Sequence, residues 1–226
     1  MAEIKTLDLF TDGDSQSYYQ FQGNSTDQIG SNNGTDSNVT YSTANGKYSQ
    51  GAGFSGTGYI EFSNTLRRAN NTTNSIAFWF KTTEITQKMM YGEGSTANNN
   101  PLYNIDINVG ASGRVRFSMR NISGTSAEIA GSGSGWNDGE FHSCVLTKNS
   151  TAFELFVDTV SQGTLNSSLV PETNRVGIGA LLRATEAIHF NGAMDDFLFF
   201  DGVLTSDEMT EIFEEGPAGA GMFLAM

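Results

Sequence analysis

The chain has few of the residues on which disulfide-bonded and nucleic-acid-binding proteins depend. Its 226 residues include one cysteine, Cys144, and a single thiol excludes an internal disulfide framework. Only 12 lysines and arginines stand against 25 aspartates and glutamates, which gives a formal net charge of -13. An acidic surface repels nucleic-acid phosphates and anionic lipid headgroups, so we expect no nucleic-acid partner.

Long apolar runs and an export signal are also missing. No run approaches the roughly 20 apolar residues that a membrane-spanning helix needs, so we expect no membrane insertion. The opening MAEIKTLDLF lacks the basic and apolar regions of a secretory signal. This favours a protein that is made in a host cytoplasm and released by lysis, as virion proteins are. An extracellular protein taken without its signal is the alternative.

The sequence is equally poor in catalytic motifs. It has no Gly-Lys-Ser/Thr of a phosphate-binding loop and only two histidines. His142 shares a face of a predicted strand with Cys144, which predicts a packed or hydrogen-bonded ring rather than a nucleophilic pair. His189 is predicted to be structural. We therefore predict that the chain is not an enzyme.

What the chain has in abundance is strand-forming segments separated by turn residues. Short apolar or alternating runs are bounded by Gly, Asn, Ser and Asp clusters, which is typical of an all-β protein. Nine runs predict strands: Tyr18–Phe21, Gly58–Phe62, Ser75–Lys81, Tyr103–Val109, Arg114–Met119, Phe141–Thr147, Phe153–Val157, Arg175–Ile178 and Met194–Phe200. No internal repeat or linker is evident, so we predict one sandwich domain.

The most informative segment runs from Phe190 to Met209. A buried strand is predicted first, followed by a tight turn at Asp201-Gly202. Thr205 and Glu208 have the spacing of a capping box, and Leu204 with Met209 that of a hydrophobic staple, which together predict a short helix.

Several segments, in order along the chain, carry a resemblance to a known family. They are Tyr19-x-Phe21 with Asp27 and Gly34-Thr35, the hairpin Gly51–Phe54 with Gly58–Phe62, the apolar strand Ser75–Phe80, the pair Trp136–Val145 and Leu155–Asp158, and the ending Gly192–Glu208. This series resembles laminin-G-like domains of the concanavalin A-like lectin/glucanase superfamily, including those encoded among phage structural genes. Thr159 stands where the family usually has Gly.

The resemblance implies an all-β, antiparallel jelly-roll β-sandwich of the concanavalin A-like type with a short C-terminal helix. The domain would span residues 18–215, after an N-terminal arm at 1–17 and before an apolar tail at 216–226. The tail either docks on a neighbouring subunit or folds back onto its own core.

The resemblance also implies a calcium site where the first and last strands meet. The matching residues are Asp27, Asp195 and Asp196, with neutral oxygens from the loop Asn24–Asn33; Ca²⁺ takes six to eight such oxygens. Alternatively, Asp195 and Asp196 bond backbone amides of the first strand or cap the turn into Phe197. Since neighbouring side chains of a strand point to opposite faces, we expect only one of the pair to reach an ion.

Sugar recognition needs exposed aromatic rings beside hydrogen-bonding groups. Tyr91 and Tyr103 flank a predicted loop rich in asparagine, and Trp136 lies in a Gly-Ser-rich loop, so these three are the candidate glycan-binding residues. The alternative is that Trp136 packs over the sandwich edge and that Tyr103 opens a strand.

These observations together favour a non-catalytic virion surface protein, such as a capsid decoration, knob or tail-associated protein. Its lectin-like domain would bind glycans or a neighbouring virion subunit, and it would form homo-oligomers. The alternative is a bacterial extracellular carbohydrate-binding or adhesion module. A glycoside hydrolase or lyase is a remote alternative, because the E-x-D-x-x-E motif of the superfamily's β-glucanases is absent.

Overall fold

The computed structural model describes residues 15–108 and 112–214, which form thirteen strands and one α-helix. The strands are β1 Ser15–Tyr19, β2 Thr35–Ser42, β3 Gly51–Glu61, β4 Thr73–Lys81, β5 Lys88–Gly94, β6 Leu102–Ile107, β7 Val115–Arg120, β8 Ser126–Ala130, β9 His142–Asn149, β10 Ala152–Val157, β11 Val160–Asn166, β12 Arg175–Ile178 and β13 Asn191–Phe200. The helix α1 spans Ser206–Glu214. The apolar tail and the first fourteen residues of the predicted arm lie outside the described residues; residues 15–17, also assigned to the arm, belong to β1.

All strand pairs are antiparallel, and they form one continuous sheet folded into two layers. The order is β11-β10-β9-β4-β13-β3-β12-β5-β6-β7-β8, with β1 on β13 and β2 on β3. Strand β3 joins the layers, because its residues 52–55 pair with β13 while Ile60 and Glu61 pair with β12. We call the strands from β11 to β13 the front layer and those from β12 to β8 the back layer. The predicted jelly-roll sandwich is confirmed.

The main core lies between the two layers and is rich in aromatic rings. Phe78 of β4 stacks on Phe197 of β13 with centroids 5.1 Å apart. Phe153 of the front layer stacks on Phe117 of the back layer at 5.3 Å. Rings of this size bury apolar area on both faces and make close contacts that stabilise the pairing of the layers.

A second apolar cluster lies on the outer side of the front layer, beneath α1. Trp79 of β4 meets Phe213 of the helix edge-on, with centroids 5.2 Å apart. The capping box is confirmed, because the Thr205 amide donates to Glu208 Oε2 at 2.7 Å and the Glu208 amide donates to Thr205 Oγ1 at 3.3 Å. Leu204 and Met209 are both buried in this cluster, as the staple predicts.

The nine predicted strands correspond to nine observed ones, but four others were not predicted. These are β2, β5, β8 and β11. The largest difference concerns residues 89–93, predicted to belong to a loop, which lie in the middle of β5 and pair with β6. Although Thr159 replaces the glycine that is usual in the family, β10 and β11 are joined by a two-residue turn. Its residues Asp158 and Thr159 have φ values of 49° and 61°.

Candidate functional site

A groove of about 400 Å³ opens on the outer side of the front layer. Its floor is a row of side chains across four strands, because Lys81 of β4 lies opposite Ala193 of β13, which lies opposite Gly53 of β3, which lies opposite Thr40 of β2. Alternate residues of a strand face opposite sides. The neighbouring residues on these strands, including Phe80, belong to the core, so the row faces out.

The turn 43–50 forms one wall of the groove through Asn45. A Cβ atom at Gly53 would lie 2.2 Å from Asn45 Nδ2, so only glycine leaves room for this amide on the floor. Lys81 holds the same turn, since its Nζ donates to the Ala44 carbonyl at 3.0 Å. The ammonium also lies 4.5 Å from the centroid of the Phe141 ring, a cation–π contact.

The opposite rim is formed by Asn191, Thr82 and Gly139. Asn191 Nδ2 donates to Glu84 Oε1 at 2.6 Å, and Thr82 Oγ1 donates to the Asn191 carbonyl at 2.7 Å. The bond from Asn191 lowers the pKa of Glu84. Sequence analysis did not identify Asn45, Lys81 or Asn191, because only the strand register brings them together.

Asp27, the first of the three predicted metal ligands, is held by four hydrogen bonds from the protein. Asp27 accepts from Ser17 Oγ at 2.8 Å and from the amides of Tyr18 at 3.1 Å, Asn32 at 3.0 Å and Ile29 at 3.3 Å. Both carboxylate oxygens are thus used to hold the loop after β1 against that strand. Each oxygen of the Asp27 carboxylate accepts two hydrogen bonds, so the side chain has a structural role.

Asp195 and Asp196 lie together in a β-bulge of β13, where Asp196 has φ 48°. Asp195 accepts the Lys47 amide at 2.7 Å; this is a backbone amide of the turn 43–50, and not of the first strand as the alternative expects. Asp196 accepts a short hydrogen bond from the Tyr18 hydroxyl, while its Oδ2 has no partner among the described residues. Burial raises the pKa of Asp195 to about 6, and burial together with the Asp195 charge raises that of Asp196 to about 8.

These residues do not fit a shared calcium site. Within residues 15–108 and 112–214, no three His, Cys, Asp or Glu side chains are grouped so that they could hold a metal ion. Asp27 has its hydrogen-bonding capacity filled by protein donors, and Asp195 bonds backbone amides instead. Calcium binding stays a prediction that the arrangement of these three carboxylates does not favour.

The prediction that Tyr91 and Tyr103 are exposed sugar-stacking rings is wrong. Both side chains are 0% exposed, because β5 and β6 turn them into the core between the layers. The Tyr91 hydroxyl donates to Glu93 Oε1 at 2.7 Å, and the Tyr103 ring meets Phe117 edge-on at 4.9 Å.

Trp136 is half-buried and packs against the edge of the main core, as the alternative interpretation predicts. Its ring meets the His142 ring edge-on, with centroids 5.0 Å apart. His142 is hydrogen-bonded on both nitrogens, which confirms the prediction made for it. Cys144 is fully buried, and burial raises the pKa of its thiol well above the usual range.

The part of the chain that the structure describes contains no helix with the length and apolar character needed to span a bilayer.

Comparison with solved structures identifies proteins with the same fold at low sequence identity. Domain 4 of AbnA, a GH43 extracellular arabinanase from Geobacillus stearothermophilus solved with arabinotriose, matches with a TM-score of 0.73 and 16% identity over 88% of this chain and 97% of that one. Botulinum neurotoxin type C, in a study of its interaction with two ganglioside molecules, matches with a TM-score of 0.70 and 13% identity over 92% of this chain and 52% of that one.

A third similar structure is the NanB sialidase from Streptococcus pneumoniae, with a TM-score of 0.56 and 13% identity over 70% of this chain and 26% of the sialidase. The chain thus spans about half the length of the neurotoxin structure and about a quarter of the sialidase. No curated protein sequence matches significantly. The Laminin_G_3 family model, described as concanavalin A-like lectin/glucanases superfamily, matches residues 54–210. The chain therefore belongs to the laminin-G-like branch of the concanavalin A-like lectin/glucanase superfamily.

Proposed function

We propose that this domain is a non-catalytic carbohydrate-binding module and that the groove across β2, β3, β13 and β4 is its sugar site. The observation that carries the proposal is the composition of the floor and walls. Ala193 keeps the floor low, Gly53 makes room for the Asn45 amide, and hydroxyl and ammonium groups lie beside them. Such groups form the hydrogen bonds that orient a sugar in a concave site.

The similar structures support a carbohydrate ligand through their own ligands. The arabinanase domain was solved with arabinotriose, and the neurotoxin was studied for its interaction with gangliosides. At 16% and 13% identity these likenesses establish the fold, and the sugar site of this chain rests on its own groove. The low identity leaves the class of sugar open to experiment.

The lining of the groove supports binding without hydrolysis. Glycosidases that use two carboxylates need one as acid and one as base or nucleophile, roughly 5–9 Å apart. Among the described residues that line the groove there is no Asp or Glu. Glu84 stands at the rim, where it is engaged by Asn191. We therefore propose that the protein holds its sugar unchanged.

For the setting, we propose display on the surface of a phage-like virion, as a decoration, knob or tail-associated protein. The formal net charge of -13 and the resemblance to phage-encoded laminin-G-like domains support this assignment. Attachment to a lattice implies self-association or binding to another virion subunit. Light scattering after size-exclusion chromatography tests the first, and a monomer at all concentrations would favour the extracellular-module alternative.

A glycan and polysaccharide array tests the sugar site, run once with Ca²⁺ and once with EDTA. Asn45→Ala and Asn191→Ala each remove an amide from the groove, while Asn166→Ala removes an exposed amide from β11 as the matched control. We expect each groove variant to weaken binding about tenfold, the worth of one or two hydrogen bonds, and the control to match the wild type. Equal binding by all variants would place the sugar elsewhere, and loss in EDTA alone would show that binding needs a metal.

A further inference from the structure

His142, at the start of β9, lies between two carboxylates that come from different parts of the chain. Its Nδ1 is 2.8 Å from Asp158 Oδ2, in the turn between β10 and β11. Its Nε2 is 3.1 Å from Asp138 Oδ1, in the loop 131–141. The ring therefore links a loop to the sheet through two contacts with carboxylates.

The loop that His142 holds contributes a wall of the groove. Gly139 follows Asp138 directly, lines the groove, and donates its amide to the carbonyl of Thr82, its neighbour on the same rim, at 3.1 Å. Asp138 Oδ1 also accepts the Glu140 amide at 2.8 Å, so the carboxylate fixes the backbone on both sides of Gly139. The position of Asp138 thus sets the position of the wall.

The two contacts need a charged ring. A carboxylate only accepts hydrogen bonds, and a neutral imidazole donates from one nitrogen while the other carries a lone pair. Imidazolium donates from both nitrogens and can serve Asp158 and Asp138 together. After loss of the proton, one of the two carboxylates faces a lone pair and that contact becomes repulsive.

Asp138 is the carboxylate that would lose its contact with the His142 ring. Asp158 is held independently by the Ser143 amide, which donates to its Oδ1 at 2.9 Å, and its own amide donates to the Ser143 carbonyl at 3.0 Å. The Asp138 side chain is 51% exposed and can exchange the imidazole for water. The proton therefore stays on Nδ1, towards Asp158, and Nε2 loses its bond to the loop.

We propose that His142 is the positioning residue of the groove: its imidazolium, held between Asp158 and Asp138, fixes Gly139 as a wall, and the wall loosens when the ring loses its proton. The assignment of the groove as a sugar site is the proposed function on which this rests, whereas the coupling of ring and loop stands on the contacts alone.

The charges around His142 support a transition above the usual pKa of histidine. Asp158 and Asp138 are the charged groups that face the ring; β4 presents the Phe80 ring, and the ammonium of Lys81 is turned to the Phe141 ring and the Ala44 carbonyl. The hydrogen bond to Asp158, followed by that to Asp138, raises the pKa of His142 above 6.5. Both contacts of the ring, with Asp158 and with Asp138, are present below the usual pKa of histidine. The contact with Asp138 is lost as the pH rises through the raised pKa of His142.

Amide hydrogen exchange of the whole protein tests the proposal without any sugar. We expect the protection of the Gly139 amide, corrected for the intrinsic rate, to fall about tenfold between about pH 5.5 and about pH 9, as one charge-assisted contact is lost. NMR titration of the two histidines gives the pH at which His142 loses its proton, and the fall in protection should coincide with it.

Two variants make the result specific. In Asp138→Asn, whose side chain can accept from the charged ring and donate to the neutral one, the protection of the Gly139 amide should no longer change with pH. In Asp207→Asn, a matched change on α1, it should follow the wild type. Protection in the wild type that stays constant up to about pH 9, or an Asp138→Asn variant that keeps the wild-type pH profile, overturns the proposal. Either result leaves the array experiment on Asn45 and Asn191 unaffected, so the two proposals fail separately.

Discussion

Two buried acidic sites of this molecule, Glu93 and the pair Asp195–Asp196, differ in the number of hydrogen-bond donors that surround them. Glu93 is 0% exposed and accepts four hydrogen bonds, from the amides of Arg68 at 2.5 Å and Ala69 at 3.1 Å and from two hydroxyls. Burial still raises its pKa, but every donor opposes that rise. A carboxylate with four donors is built into the structure.

The pair on β13 has fewer donors and a neighbour of the same charge. Asp195 accepts two backbone amides, but Asp196 has one donor on one oxygen and none on the other among the described residues. The pKa of Asp196 therefore rises because of burial and then because of Asp195. The comparison teaches that the number of donors, more than burial, decides whether a buried carboxylate stabilises its surroundings.

The comparison is tested most severely by Glu93→Gln. The neutral amide of glutamine lacks the charge that strengthens all four hydrogen bonds, and its nitrogen fits at the site of Oε2 only if the Thr173 hydroxyl turns to accept. We expect the free energy of unfolding to fall by about 3 kcal/mol in urea denaturation. Glu186→Gln, at an exposed position, serves as the control, and a loss below about 1 kcal/mol at Glu93 would contradict the role of its four donors.

Asp195→Ala should have the next largest effect. It leaves the Lys47 amide without its acceptor and frees the turn 43–50, so we expect a loss of about 2 kcal/mol. Glu186→Ala removes only a partly exposed ion pair to Arg175 at 3.5 Å and should cost less than about 0.5 kcal/mol. Thermal unfolding of both variants decides the matter: equal melting temperatures would mean that Asp195 has no special structural role.

Asp196→Asn should change how stability depends on pH. A carboxyl group whose pKa is raised on folding binds more protons in the folded state, so it stabilises below its usual pKa near 3.8 and loses that contribution as pH rises towards about 8. We expect wild-type stability to decline across this range more steeply than that of the variant, by at most about 1.4 kcal/mol for each pH unit. Unfolding with EDTA and again with Ca²⁺ completes the test, because a rise in wild-type stability with Ca²⁺ alone would show that the pair binds a metal after all.

The smallest effect distinguishes two tyrosines near Glu93. Tyr91→Phe removes a donor to that carboxylate and should cost about 1 kcal/mol, whereas the Tyr103 hydroxyl has no partner among the described residues, so Tyr103→Phe should lie within about 0.5 kcal/mol of the wild type. Denaturant titrations of the pair give both values. Equal losses would mean that the Tyr103 hydroxyl has an acceptor of its own.

Strands with strong local patterns could be predicted from sequence, and those shaped by neighbours could not. Arg175–Ile178 and the capping box at Thr205 depend on residues adjacent in the chain. Strand β5 contains Gly94, where a Cβ atom would lie 2.4 Å from the Leu182 carbonyl, so a residue that favours turns is required here by tertiary contact. Strand β2 has Asn38 at φ 51° and no fully buried residue, so its sequence lacks the apolar alternation of a strand.

The candidate site was harder to predict for a similar reason. Whether Tyr91 points into the core depends on a register shift in the pairing of β5 with β6, which lies between Met89 and Tyr91. The alternation rule also fails at Asp195 and Asp196, because the bulge in β13 changes the direction of the side chains. The groove depends on the order of the strands in the sheet. Lys81 of β4 and Gly53 of β3 come close because Ala193 of β13, the strand between them, pairs with both.

A ligand bound in the groove would stabilise the whole fold, because the floor of the groove exists only in the folded protein. The four floor residues, at positions 40, 53, 81 and 193, belong to strands that are distant in sequence and separate when the protein unfolds. A ligand of the groove therefore binds the native state and not the unfolded chain. By mass action, a sugar present at a hundred times its dissociation constant would add about 2.7 kcal/mol to the free energy of unfolding. A rise in melting temperature is therefore a ligand assay that needs no label and no knowledge of the sugar beforehand.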